Sequence, residues 1–180
     1  TKLFFLAFLT SLLSWGQATL PVSTDALSAS SLPTGFTSIG LGANYTTPCS
    51  AALRLDGAGD SVRLFFSGTP GTLTYQLKAN VGSGSWQGVF TIEESVDGVT
   101  WTTLRSITAT GAISTAAGTT FTDSPLATTR YIRWTYTTKT NGNIGMCNVD
   151  LSAVTTSTPT LTVSATSVTA MDYVFGNGPS

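Results

Sequence analysis

The chain is predicted to fold as an all-β protein, an antiparallel β-sandwich of the jelly-roll kind, with a truncated second β-module at its C-terminus. Three observations carry this. Its polar residues are mostly Thr, Ser, Gly and Asn, which suit strands and turns. Several short runs alternate apolar and polar side chains with a period of two, and Gly, Pro, Asn or Asp punctuate them. After the first thirteen residues no long helical period recurs.

The N-terminus is read first. Thr1-Lys2 gives a short positive start, Leu3 to Leu13 is apolar apart from Thr10 and Ser11, and Ser14-Trp15-Gly16 supplies small residues before Gln17. That is the layout of a secretory signal peptide over 1–17, and it is too short for a bilayer span, which takes about 20 apolar residues. The expected location is secreted or cell-surface, with no membrane span once the leader is removed.

The lead-in from Gln17 to Tyr45 is extended, with one or two edge strands. Ala51–Leu55 and Ser61–Phe66 are short strands around a turn at Gly57-Ala58-Gly59-Asp60, and a second turn follows at Gly68-Thr69-Pro70-Gly71. In Thr72–Ala79, Leu73, Tyr75 and Leu77 share a face opposite Thr74, Gln76 and Lys78. A Gly/Ser loop leads to the strand Trp86–Ser95, where Phe90, Ile92 and Glu94 share one face and Val89, Thr91 and Glu93 the other. Asp97-Gly98 signals a hairpin to Trp101–Thr108. After a small-residue loop come a strand near Thr120–Thr122 and another over Arg130–Thr137, in which Ile132, Trp134 and Tyr136 oppose Tyr131, Arg133 and Thr135. Asn141-Gly142-Asn143 turns the chain into Ile144–Val154, which closes a domain spanning 18–154. Residues 155–159 form a Thr/Ser/Pro linker, and 160–180 begin a second β-domain that is too short to bury a core alone.

Composition narrows the function classes. Charged residues make up 9% and the net charge is −1, so there is no basic face for nucleic acid. A hydrophobic fraction of 41% still supports a core. With no histidine, Ser-His-Asp and Cys-His triads are excluded and the usual zinc sites with them. A carboxylate-based hydrolase stays open. Cys49 and Cys147 are the two cysteines, and in an oxidising compartment such a pair favours a disulfide over two buried thiols. A link between early and late strands suits a closed sandwich.

Several segments resemble jelly-roll modules of secreted bacterial proteins, the cleaved-adhesin and choice-of-anchor types. Ser31-Leu32-Pro33-Thr34-Gly35-Phe36 resembles their "LPxGW" opening, and Pro70 to Tyr75 their first core strand. Glu93 to Trp101 is similar to their "ES-DG-TW" hairpin, and Asn141 to Ile144 leading to Asn148-Val149 resembles their closing strand. Thr160 to Ser164, with Asn177 to Ser180, is similar to the start of an Ig-like repeat. The resemblance implies a module of a large exported protein, often a type IX secretion cargo, whose catalysis lies elsewhere in the chain. Such modules often close on an Asp-led triplet that helps bind calcium. Here the triplet is Cys147-Asn148-Val149, and a thiol or disulfide is a poor calcium ligand, so the site is not carried over even with Asp150 nearby.

No catalytic set, metal site or cofactor is predicted. Glu93 and Glu94 are adjacent in a strand and point to opposite faces, so they do not form an acid/base pair. Asp56 and Asp60 flank a turn and suit Asx hydrogen bonds. Ser95 to Trp101 resembles the Asp-box of sialidase-like proteins, one residue short, and such boxes are structural turns. Among the aromatics, Trp101 and Trp134 read as core or edge packing. Trp86, beside a loop, and Tyr131 with Arg133, on the solvated face, are the candidate ligand residues. The expected function is a non-catalytic binding or spacer module. Its partners are polysaccharide or cell-surface glycan, and adjacent domains of the same chain. A secreted glycosidase-like hydrolase and an adhesin working through protein contacts are the alternatives.

Overall fold

The computed structural model describes residues 16–154. The expected leader up to Trp15, and the expected linker and second module over 155–180, lie outside the described residues. Twelve strands and no helix are described: β1 (Ala18–Thr19), β2 (Val22–Thr24), β3 (Phe36–Ile39), β4 (Asn44–Tyr45), β5 (Ala52–Leu55), β6 (Ser61–Ser67), β7 (Pro70–Asn80), β8 (Gln87–Ser95), β9 (Thr102–Ile107), β10 (Thr119–Asp123), β11 (Tyr131–Asn141) and β12 (Asn143–Ala153).

These strands make two six-stranded sheets that pack as a sandwich. The front sheet runs β1-β6-β11-β8-β9, with β3 sharing the edge of β6 that β1 occupies further along. The back sheet runs β10-β7-β12-β5-β4, with β2 against the later part of β12. All pairings are antiparallel except β1 with β6. The all-β sandwich expected from the alternation is therefore what the chain forms. The lead-in differs in detail, since it supplies four short strands to both sheets rather than one or two. Each has at most four residues, too few to show a period.

The core lies between the sheets and follows the two-residue alternation. From the front come Val62, Leu64, Phe66, Phe90, Ile92, Ile132, Trp134 and Tyr136, and from the back Leu73, Tyr75, Leu77, Ile144, Met146, Val149 and Leu151, all buried. Trp134 and Tyr75 meet edge to face across the gap, with ring centroids 5.8 Å apart. One open side of the sandwich is tied by polar groups. Arg105 on β9 donates to Asp123 on β10 at 2.9 Å and forms an ion pair with it at 2.7 Å, and the Tyr75 hydroxyl donates to the same carboxylate at 2.9 Å. Burial and the adjacent Asp123 charge push the Tyr75 phenol above its ordinary range, so it stays a donor.

Cys49, in the loop before β5, and Cys147, on β12, are joined in a disulfide with their Cα atoms 6.3 Å apart. The sequence separation is 98 residues. This is the pairing expected from the count of two.

Candidate ligand-binding site

The outer face of the front sheet is built from the side chains that alternation turns away from the core. On β6 these are Arg63 and Phe65, on β11 Tyr131 and Arg133, and on β8 Glu93. Register places Arg133 directly between Arg63 and Glu93, and Tyr131 beside Phe65. A row of charge therefore crosses three strands, next to a row of aromatic rings.

The contacts follow from that register. Arg133 Nε donates to Glu93 Oε2 at 2.9 Å, and its NH2 group lies 2.7 Å from the same oxygen. Phe65 and Tyr131 stack nearly parallel, centroids 4.5 Å apart. Trp101, in the residue before β9, folds back over the sheet. Its ring meets Tyr131 edge to face at 6.4 Å, with the Arg133 guanidinium 4.1 Å and the Arg63 guanidinium 5.1 Å from its centroid. Such guanidinium–indole contacts contribute about 0.5–1 kcal/mol each at exposed positions and orient the ring. Trp101, Tyr131, Phe65, Arg63 and Arg133 are all half-buried, so the cluster is accessible from solvent.

The Asp97-Gly98 hairpin holds Trp101 in place. Ser95 Oγ donates to Asp97 Oδ1 at 3.0 Å and accepts from the Gly98 amide at 2.8 Å, while the Val99 and Thr100 amides donate to Asp97 Oδ1, each at 2.8 Å. Those amides, Thr100 first, hold the Asp97 carboxyl down at about 2. Because the folded value lies below the unfolded 3.8, this tie is complete above the unfolded value and is lost only as pH falls through about 2. Gly98 has φ +74° and lies against the Tyr131 ring, where a Cβ would come within 3.1 Å of Cζ. A glycine is therefore needed there twice, for its backbone angle and for its missing side chain. The Asp-box-like motif is a structural turn, as its sequence suggested, and it presents Trp101.

Two of the three sequence-predicted ligand residues, Tyr131 and Arg133, come together here. The third does not. Trp86 is fully buried, its indole N–H donates to the Tyr136 hydroxyl at 3.1 Å, and its ring packs against Tyr136 in the core. The expectation that Trp86 sits at a rim is corrected: the chain enters β8 from the Gly/Ser loop with this side chain already turned inward. Trp101 makes the opposite exchange, from expected core or edge packing to the outer face. Arg63 and Phe65 were missed, although their alternation with Val62, Leu64 and Phe66 marks them as outward-facing.

The carboxylates are engaged separately. Glu93 belongs to Arg133. Glu94 turns the other way and accepts from the Leu126 amide at 2.8 Å and from the Thr129 hydroxyl. Asp60 is buried in its turn, accepting from the Asp56 and Gly57 amides at 2.8 Å each, and Asp56 pairs with Arg54 at 2.6 Å. Asp60 sits beside Tyr136, about 10 Å along β11 from the Arg133 row at 3.3 Å per residue. Asp150 lies on β12 of the back sheet. The acidic residues weighed for hydrolysis are thus distributed over different elements, and Glu93, Glu94, Asp56 and Asp60 each have local partners. At the closing triplet, Cys147 is in the disulfide, Asn148 adopts φ 49° and donates to Gln76 at 2.9 Å, and Val149 is buried.

No protein-family model matches the chain, and no curated protein matches it in sequence. Solved structures do match in fold. The K3 cleaved adhesin domain of Lys-gingipain from Porphyromonas gingivalis W83 superposes with a TM-score of 0.59 at 11% identity, over 74% of this chain and 99% of that one. The K1 cleaved adhesin domain of the same protein gives 0.52 at 16% identity, over 69% and 94%. The CBM22-1 xylan-binding domain of Xyn10C from Paenibacillus barcinonensis gives 0.51 at 11% identity, over 79% and 99%. At these identities what is shared is the fold, and this chain has the β-sandwich of cleaved adhesin domains and of a carbohydrate-binding module.

Proposed function

We propose that this chain is a non-catalytic glycan-binding module of an exported multidomain protein, and that it takes its ligand on the outer face of the front sheet through Trp101, Tyr131 and Arg133. The observation that carries the reading is the accessible aromatic cluster locked in place by the Asp97 hairpin and by guanidinium contacts. Flat rings match the C–H faces of sugars, and fixed guanidinium donors match their oxygens. The shared fold with a domain described as xylan-binding supports it. The predicted leader over 1–17 and the disulfide fit an extracellular setting, and the resemblance to cleaved-adhesin modules fits type IX export with an Ig-like domain following residue 159. The scattered carboxylates argue against the hydrolase alternative.

The test is affinity against a panel of soluble polysaccharides. Binding to at least one is expected, with Trp101→Ala weakening it about tenfold or more, as removal of a central aromatic contact does. Trp86→Phe, in the interior, should leave the affinity unchanged. Absence of binding to every glycan would overturn this reading and leave the spacer and protein-contact adhesin roles.

A further inference from the structure

The two arginines of the outer face are not equivalent. Arg133 gives its charge to Glu93 through an ion pair and a hydrogen bond. Arg63, its neighbour in register, makes neither a hydrogen bond nor an ion pair with any described residue, while its guanidinium lies 5.1 Å from the centroid of Trp101. Thr37 of β3 pairs with Arg63 on its other side and brings no charge. Counting Arg63, Arg133 and Glu93, the row carries one net positive charge, and it resides on the unpaired guanidinium. The Arg63 guanidinium engages the ring with its face alone, so its N–H donors are free for an incoming acceptor, and they bind a charged one most strongly. The chain as a whole has a net charge of −1, so general electrostatic attraction does not draw in polyanions. Any anion preference would be local to this place.

We infer that the site selects an anionic sugar, one whose uronate carboxylate or sulfate ester meets Arg63 while its ring rests against Trp101 and Tyr131. This rests on the glycan-binding reading and narrows it. Arg63 supplies charge and a planar fork of donors. Trp101 supplies the surface that sets the distance between sugar ring and anion. Arg133, whose charge Glu93 already meets, keeps its remaining N–H donors for the neutral oxygens of the sugar.

The experiment is calorimetric titration of the disulfide-bonded chain with three oligosaccharides of equal length: a neutral glucan, an oligogalacturonate and a sulfated glucan. At least one anionic ligand should bind about tenfold more tightly than the neutral one, with an advantage that shrinks as salt is raised. Which anionic arm wins separates carboxylate from sulfate. Arg63→Gln should reduce the anionic-to-neutral affinity ratio about tenfold, with unchanged thermal unfolding as the check on the fold. Equal or tighter binding of the neutral glucan by the unsubstituted chain overturns the inference and leaves the glycan reading standing. A ratio that survives Arg63→Gln also overturns it. Failure of both anionic ligands to bind overturns the inference, and the glycan reading then stands or falls with the wider polysaccharide panel.

Discussion

Trp134→Ala is expected to be the most damaging single substitution in the domain, with a loss of about 3–5 kcal/mol of folding stability. Trp134 lies in the first half of β11, flanked in register by Val62 of β6 and Ile92 of β8. It is fully buried and meets Tyr75 of the opposite sheet edge to face. Truncation would open a cavity at the point where the two layers touch, and a stability of about 5–15 kcal/mol leaves little room for that. The indole N–H has no hydrogen-bond partner among the described residues. Its removal in Trp134→Phe therefore forfeits no hydrogen bond, and this variant should cost clearly less than the alanine. Urea denaturation of both variants with an unchanged m-value checks the prediction. Equal losses for Ala and Phe would show that the N–H, not the ring volume, matters there.

Loss of the Cys49–Cys147 disulfide is the second large effect. Closing a loop of this length restricts the unfolded chain by about 4–5 kcal/mol in the loop-entropy model, and native bridges typically contribute about 2–5 kcal/mol. The bridge fixes the irregular segment before β5 to the strand at the centre of the back sheet, while β5 itself stays paired to β12. The double variant Cys49→Ser, Cys147→Ser should melt lower by on the order of 10 °C. Reductant should lower the melting temperature of the parent by a similar amount and leave the double variant where it is. A parent insensitive to reductant would contradict the assigned role.

The fold was legible wherever strands were long enough to show their period. In β7 the alternation of Leu73, Tyr75 and Leu77, and in β11 that of Ile132, Trp134 and Tyr136, identifies the buried face without any tertiary information. The same rule turns Tyr131 and Arg133 outward. It is harder to apply beside turns. Trp86 shares the parity of Phe90 and Ile92, so the alternation of β8 already turned it inward, and the adjacent Gly/Ser loop misled the rim reading. Trp101 precedes β9, whose first residues are exposed on both faces, and what decides it is the Arg63 and Arg133 guanidiniums. Those partners come from distant strands. The register that sets Arg63 beside Arg133, and Arg133 beside Glu93, is likewise a property of sheet order, which one-dimensional patterning does not contain. The candidate site was thus half visible: its β11 residues lay in the alternation, while its β6 partners and its tryptophan required the assembled sheet.

The central claim is that the ligand rests on the outer face of the front sheet. Backbone and indole chemical-shift mapping during titration with a bound oligosaccharide tests it most directly. The account predicts that the Trp101 indole N–H shifts most, followed by the amides of Arg63, Glu93, Gly98, Tyr131 and Arg133, with β7 and β12 unmoved. Shifts concentrated on the back sheet, with Trp101 silent, would contradict it.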